Sequence, residues 1–300
     1  MTVVFLGLVS GLGFAAIFAL IAQSLTLVLA ASGVFNFAQG SIVMGATIVA
    51  YLLTARLGWH PSLVLLASVA AGMVGGLLTY AMAVRPVLGR SHVLSHTTVL
   101  TTIGLGTAAN AVVLLLFGGD THPVPSFVSE EPLRLLGQPI RPIYVVMVAV
   151  GIALTFAFDR LMHRTSIGHL FRATLEDREG AALMGIDTRK VMLGAFIAAG
   201  ALSALAGWLA APVVQASAFA AHDMVFYGFA GMAIGGFGSF AGALVGGVLV
   251  GLIYGLVPVL LDSHLTVPAM WAVVVLVLLV KPAGLLGTAG LFGSARLREI

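Results

Sequence analysis

The residues able to do chemistry in this sequence fall in three places. The first is a pair of amides, Asn36 and Gln39, in Phe35-Asn-Phe-Ala-Gln-Gly40, set inside an apolar run. A carboxamide offers donors and an acceptor without charge, and burying one unpaired costs about 1–3 kcal/mol. Such a pair can line a passage for a polar solute or tie down a broken helix, and both readings stay open. Asn110, with Thr97, Thr98, Thr101 and Thr102, can face the same interior, although threonine hydroxyls in helices more often bond back to their own backbone. The second place is Gly235-Gly236-Phe237-Gly238, a break within a long apolar block. A helix interrupted at membrane depth frees N–H and C=O groups that suit a polar solute. The third is Asp159–Lys190, which gathers six Lys/Arg, two His and five Asp/Glu in a chain that is 8% charged.

Within that third stretch, Thr174-Leu-Glu-Asp177 reads as a helix start, an N-cap threonine three residues ahead of an acid. The predicted helix carries Glu176, Asp177, Arg178 and Glu179, then Ala181, Ala182, Leu183 and Met184. Gly185 ends it, because glycine accepts the left-handed turn after a helix, and Asp187 caps the next helix. The result is a short helix across the end of two long ones, with an apolar face and a charged rim. The bland alternative is a solvated connector.

Other chemistries are excluded. No Asp or Glu falls within a confident span, since Asp159, Asp223 and Asp262 lie at ends or turns. That weighs against proton- or sodium-coupled carriers, which commonly keep a carboxylate in the membrane. There is no G-x-x-x-x-G-K-[ST] phosphate loop, so no cofactor is expected on this chain. Cysteine is absent, and His92, His96, His163, His169, His222 and His264 are scattered, so neither a metal site nor a catalytic dyad is indicated. An enzyme is therefore not expected.

The elements that must position these residues are membrane helices. Hydrophobic residues make up 60% of the 300 and mean hydropathy is +1.12, well above a soluble domain. The net charge of +3 does not form a basic face, which rejects nucleic acid as a partner. A span takes about 20 apolar residues. Candidate spans are 3–31, 33–55, 62–84, 96–117, 143–158, 191–213, 225–261 and 267–280, the second broken near its start. The first reads as a retained span, because no positive region precedes it. Segments 85–96, 159–190 and 281–300 hold eleven of the fourteen Lys/Arg, which places them in the cytoplasm. Lys190 and Lys281 then lie on one side, so the chain crosses an even number of times between them, and 225–261 must be a broken or re-entrant pair. Gly238, Gly242 and Gly246, and Gly247, Gly251 and Gly255, are spaced for close helix packing. The expected fold is one all-α polytopic domain over 1–300, with about eight hydrophobic segments.

Several stretches together resemble the permease subunits of ABC importers for branched-chain amino acids. They are Phe35-Asn-Phe-Ala-Gln-Gly40; Arg85-Pro-Val; Arg172-Ala through Glu176-Asp177 and Ala182-Leu to Gly185-Ile-Asp187; Gly235 to Gly247; and Lys281-Pro-Ala-Gly-Leu-Leu-Gly287. The resemblance implies a second permease chain in a heterodimer, two cytoplasmic subunits that bind the ATP, and an external substrate-binding protein. It makes 159–190 the loop that docks on the ATPase, with Arg172, Glu176, Asp177, Glu179, Ala181, Ala182, Gly185 and Asp187 as its coupling residues. It implies a bacterial cytoplasmic membrane. Gln39 departs from the histidine of the familiar pattern. A stand-alone secondary carrier or channel for a small polar solute is the competing reading.

Overall fold

Long apolar helices dominate the computed structural model, which describes residues 2–87, 94–135, 137–176 and 178–287. Among the described residues, seven helices are long and apolar enough to cross a membrane. In chain order the helices are α1 Thr2–Ser32, α2 Gln39–Tyr51, α3 Pro61–Thr79, α4 Leu94–Phe117, α5 Pro142–Arg164, α6 Ser166–Glu176, α7 Arg178–Leu183, α8 Thr188–Val214, α9 Ala220–Gly235, α10 Phe240–Leu260 and α11 Thr266–Val280. A small hairpin, β1 Leu133–Leu135 with β2 Gln138–Ile140, lies between α4 and α5. The fifth span is longer than expected, since α5 runs on to Arg164. The second is shorter, and a turn of π-helix over Leu52–Arg56 follows it.

The contacts divide the chain into two compact units. The first holds Met1–Thr26, Ser126–Ile152 and Phe226–Ile300. Its helices meet at small residues, as membrane helices must when no hydrophobic force distinguishes helix from lipid. A Cβ on Gly11 would come within 2.9 Å of the Gly251 carbonyl oxygen, and Gly247 and Gly251 lie against Ala19 and Ala15. The expected glycine spacing thus serves packing. Phe14, Phe18, Tyr227 and Tyr254 pack as one aromatic cluster, with Phe14 and Tyr254 centroids 4.5 Å apart.

The second unit holds Leu27–Pro125 and Ala153–Val225. Here α2 packs on α3 and α8, and most of its residues are buried. Side chains on Gly72 and Gly76 would strike the α8 backbone at Gly200 and Phe196, so α3 and α8 touch backbone to backbone. The loop after α4 is held by His122, whose backbone exchanges hydrogen bonds of 2.7 and 2.9 Å with Ala216 and whose ring stacks on Tyr51.

Candidate functional site

The polar stretch 159–190 is built from the end of α5, the whole of α6 and α7 and the start of α8, where the sequence suggested one helix starting at Thr174. Thr174 is not an N-cap. It is buried inside α6, and its hydroxyl donates to the Leu170 carbonyl at 2.9 Å. The true cap is Thr165, whose Oγ1 accepts from the Gly168 N–H at 3.1 Å. The Thr-x-x-Asp signal failed because amphipathic sequence already surrounds it. Phe171, one turn before Thr174, is buried and its ring tip lies 3.5 Å from where a Cβ on Gly194 of α8 would sit. A side chain at Gly168 would collide with the carbonyls of Leu161 and Met162, so only glycine lets α6 fold back on the end of α5.

The end of this stretch follows the sequence reading. Gly185 has φ +85°, its N–H donates to Ala182, and the Ile186 N–H reaches back to Ala181, each at 3.0 Å. This pattern satisfies the last carbonyls of α7. Asp187 then caps α8, accepting from the Lys190 N–H at 3.2 Å. That backbone hydrogen bond, with the Lys190 ammonium beside it, holds the Asp187 carboxyl below the ordinary aspartate range. Ala181 is buried, whereas Ala182 is exposed. Asp177 and the side chains of Arg172, Glu176 and Glu179 lie outside the described residues. The sequence reading placed Leu183 and Met184 in this helix but not among its coupling residues; they are 89% and 84% exposed, two large apolar side chains in the most charged part of the chain.

Asn36 and Gln39 meet. Asn36 Nδ2 donates to Gln39 Oε1 at 2.7 Å, and Asn36 Oδ1 accepts from the Ala38 N–H at 3.1 Å. Gln39 Nε2 donates to the Ala199 carbonyl and to Ser203 Oγ, both at 2.8 Å. Both amides are almost fully buried, so the pair ties the irregular 33–38 segment and the start of α2 to α8. Thr102 of α4 accepts from the Phe37 N–H at 3.3 Å, which brings α4 to the same segment. Asn110 lies two turns further along α4, half-buried, with its Oδ1 unpartnered.

Gly235, Gly236 and Gly238 belong to the first unit. They form the expected break between α9 and α10, with φ +119° at Gly236 and +80° at Gly238. The carbonyls freed there are taken, however. Ile234 and Gly235 accept from the Leu285 and Leu286 N–H groups at 2.9 and 2.8 Å. Two separate sequence motifs, the glycine break and Lys281–Gly287, are thus two halves of one backbone contact. Among the described residues, no three His or carboxylate side chains gather as a metal would need.

The comparisons with known proteins agree with this architecture. A family model described as branched-chain amino acid transport system / permease component matches residues 7–281. The chain is 32% identical over 250 residues to a probable branched-chain amino acid transport permease protein of Methanocaldococcus jannaschii, covering 81% of this chain and 78% of the relative. It is 27% identical over 298 residues to the high-affinity branched-chain amino acid transport system permease protein LivH of Escherichia coli, covering 93% and 94%. It is also 26% identical over 281 residues to a fructose import permease protein of Bifidobacterium longum, covering 88% and 74%. No solved structure matches the chain.

Proposed function

This chain belongs to the branched-chain amino acid transport permease family, and on that premise we propose that it is a membrane-spanning subunit of an ABC importer for branched-chain or related small amino acids. Its partners in this reading are a second permease chain, two cytoplasmic ATP-binding subunits and an external substrate-binding protein, in a bacterial cytoplasmic membrane. The chain itself binds no ATP.

The observation that carries the reading is the build of 165–187. A piece that transmits force must be stiff and must present a surface. Stiffness comes from the Thr165 cap, the Gly168 approach to α5, Phe171 against α8, the Gly185 stop and the Asp187 cap. The surface comes from Leu183 and Met184, which stand almost free at the tip of α7. Apolar side chains in a charged, water-facing segment fit a protein groove. Closure of the ATPase pair would push this piece as a rigid body and switch the path between its outward- and inward-open states. The clustering of Lys/Arg in the same stretch supports its cytoplasmic placement.

Among the relatives' names, amino acids and fructose both occur, and the amino-acid reading follows the higher identities, 32% and 27% against 26%. Uptake of a panel of labelled amino acids, amides and sugars by cells lacking this chain, with and without its restoration, tests it. Restored uptake of leucine, isoleucine or valine is the expected result; restored uptake of a sugar alone refutes the substrate assignment.

A further inference from the structure

Two oxygens inside α1 lack a protein partner. Gln23 is 2% exposed and its Oε1 accepts no hydrogen bond; Thr26 is 0% exposed and its Oγ1 is equally unengaged. The residues are three apart, hence neighbours on one helix face. α1 carries no charged residue over its 31 positions. Gln23 stands nine residues from its C-terminal end, about 14 Å along the axis and so at membrane depth.

Thr26, like Thr54 and Ser68, lacks a bond that many helical hydroxyls of this chain make. Helical hydroxyls back-bond almost for free, and Thr47, Thr79, Thr107 and Thr174 all do so at 2.8–3.0 Å. Ser24, between the two positions on the same helix, donates to the Ile21 carbonyl at 2.7 Å. An orphaned polar atom this deeply buried is costly. A fold keeps two such atoms side by side when a partner reaches them in another state of the molecule. Asn36 and Gln39, by contrast, are satisfied within the protein.

We infer that Gln23 and Thr26 are solute-contacting positions of the translocation path, Gln23 accepting hydrogen bonds from the N–H donors of the passing solute, its ammonium group foremost, and the Thr26 hydroxyl hydrogen-bonding beside it. Gln23 Oε1 can only accept, so its complement is a donor, whereas the Thr26 hydroxyl both donates and accepts. Neither is charged, so the contact is weak enough to release what it takes, as passage requires. The inference rests on the permease reading and deepens it.

The absence of cysteine from the chain makes the test direct. Gln23→Cys, Thr26→Cys and, as control, Ser24→Cys are placed singly in the assembled transporter in vesicles. A small charged methanethiosulfonate is added with and without ATP, and the mass of this chain is read. The expected result is modification at 23 and 26, with rates differing about tenfold or more between the two nucleotide states, a population shift of modest size, and no modification at 24. Positions 23 and 26 as inert as 24 in both states would overturn the inference. In a second arm, Thr26→Val lowers uptake about fivefold, the equivalent of one hydrogen bond, while Thr26→Ser retains it. A hydroxyl that is only packed predicts the reverse, because removing an unpaired buried hydroxyl is neutral or stabilising. Equal uptake by Val and Ser variants therefore also overturns it. Labelling in the nucleotide-free state needs no ATP, so failure here is separable from failure of the importer reading.

Discussion

Replacing Gln39 by Leu separates a structural tie from a lining residue. The side chain is 1% exposed and makes three hydrogen bonds, with Asn36 Nδ2 at 2.7 Å and with the Ala199 carbonyl and Ser203 Oγ at 2.8 Å. Leucine fills similar volume but makes none of them. The Ala199 carbonyl keeps its place in the backbone ladder of α8, so its loss is small. Asn36 Nδ2 is left as a buried donor without its acceptor, a cost of about 1–3 kcal/mol. Counted the other way, three membrane hydrogen bonds at about 0.6 kcal/mol each give about 2 kcal/mol. The two routes agree on about 2 kcal/mol. Thermal unfolding of the purified chain in detergent should fall by about 4–8 °C, using roughly 2–4 °C per kcal/mol for a large domain. Uptake should fall only in proportion to the folded protein recovered. An unchanged melting temperature with impaired uptake would refute the tie and return Gln39 to the path.

The remaining predictions concern the polar stretch. Leu183→Glu with Met184→Glu should leave the melting temperature unchanged, because both side chains are almost free, and weaken co-purification of the ATPase subunits at least about tenfold; unchanged co-purification refutes their role. Gly168→Ala should cut uptake strongly while membrane insertion persists, because the new methyl group meets the Leu161 and Met162 carbonyls and lifts α6 off α5. Gly185→Ala has open space around it, so only the φ of +85° opposes it, a strain of about 1–2 kcal/mol; faster hydrogen exchange over α7 reads this. Asp187 has a lowered pKa in the folded chain, so its capping contribution is complete above the ordinary aspartate value and disappears as pH falls through the lowered one. Exchange of the Lys190 amide, corrected for intrinsic rate, should therefore be flat between about pH 5 and 8 and rise only in acid.

What could be read from the sequence was what local physics decides. Gly185 and Asp187 act within four residues of themselves, and both do as their types suggest. The breaks at 33–38 and 236–239 follow from glycine and amide residues that cannot continue an apolar helix. The misreadings have distant causes. Thr174 carries a capping signal, but Phe171 and Gly168 commit the surrounding residues to a helix that packs on α8 and α5. The carbonyls freed at the glycine break were expected to face solute, yet residues about fifty positions later close them. Gln23 and Thr26 escaped notice because one amide and one hydroxyl in an apolar run look unremarkable until their partners are sought in three dimensions.

Whether a separate ATPase drives this chain through the 165–187 segment is decided by reconstitution into vesicles with the second permease chain, the ATP-binding subunits and the binding protein, with labelled leucine as solute. Accumulation that requires ATP, and that disappears with the Leu183 and Met184 double variant, is the predicted result. Vesicles holding this chain alone that fill under an ion gradient and ignore nucleotide would contradict it.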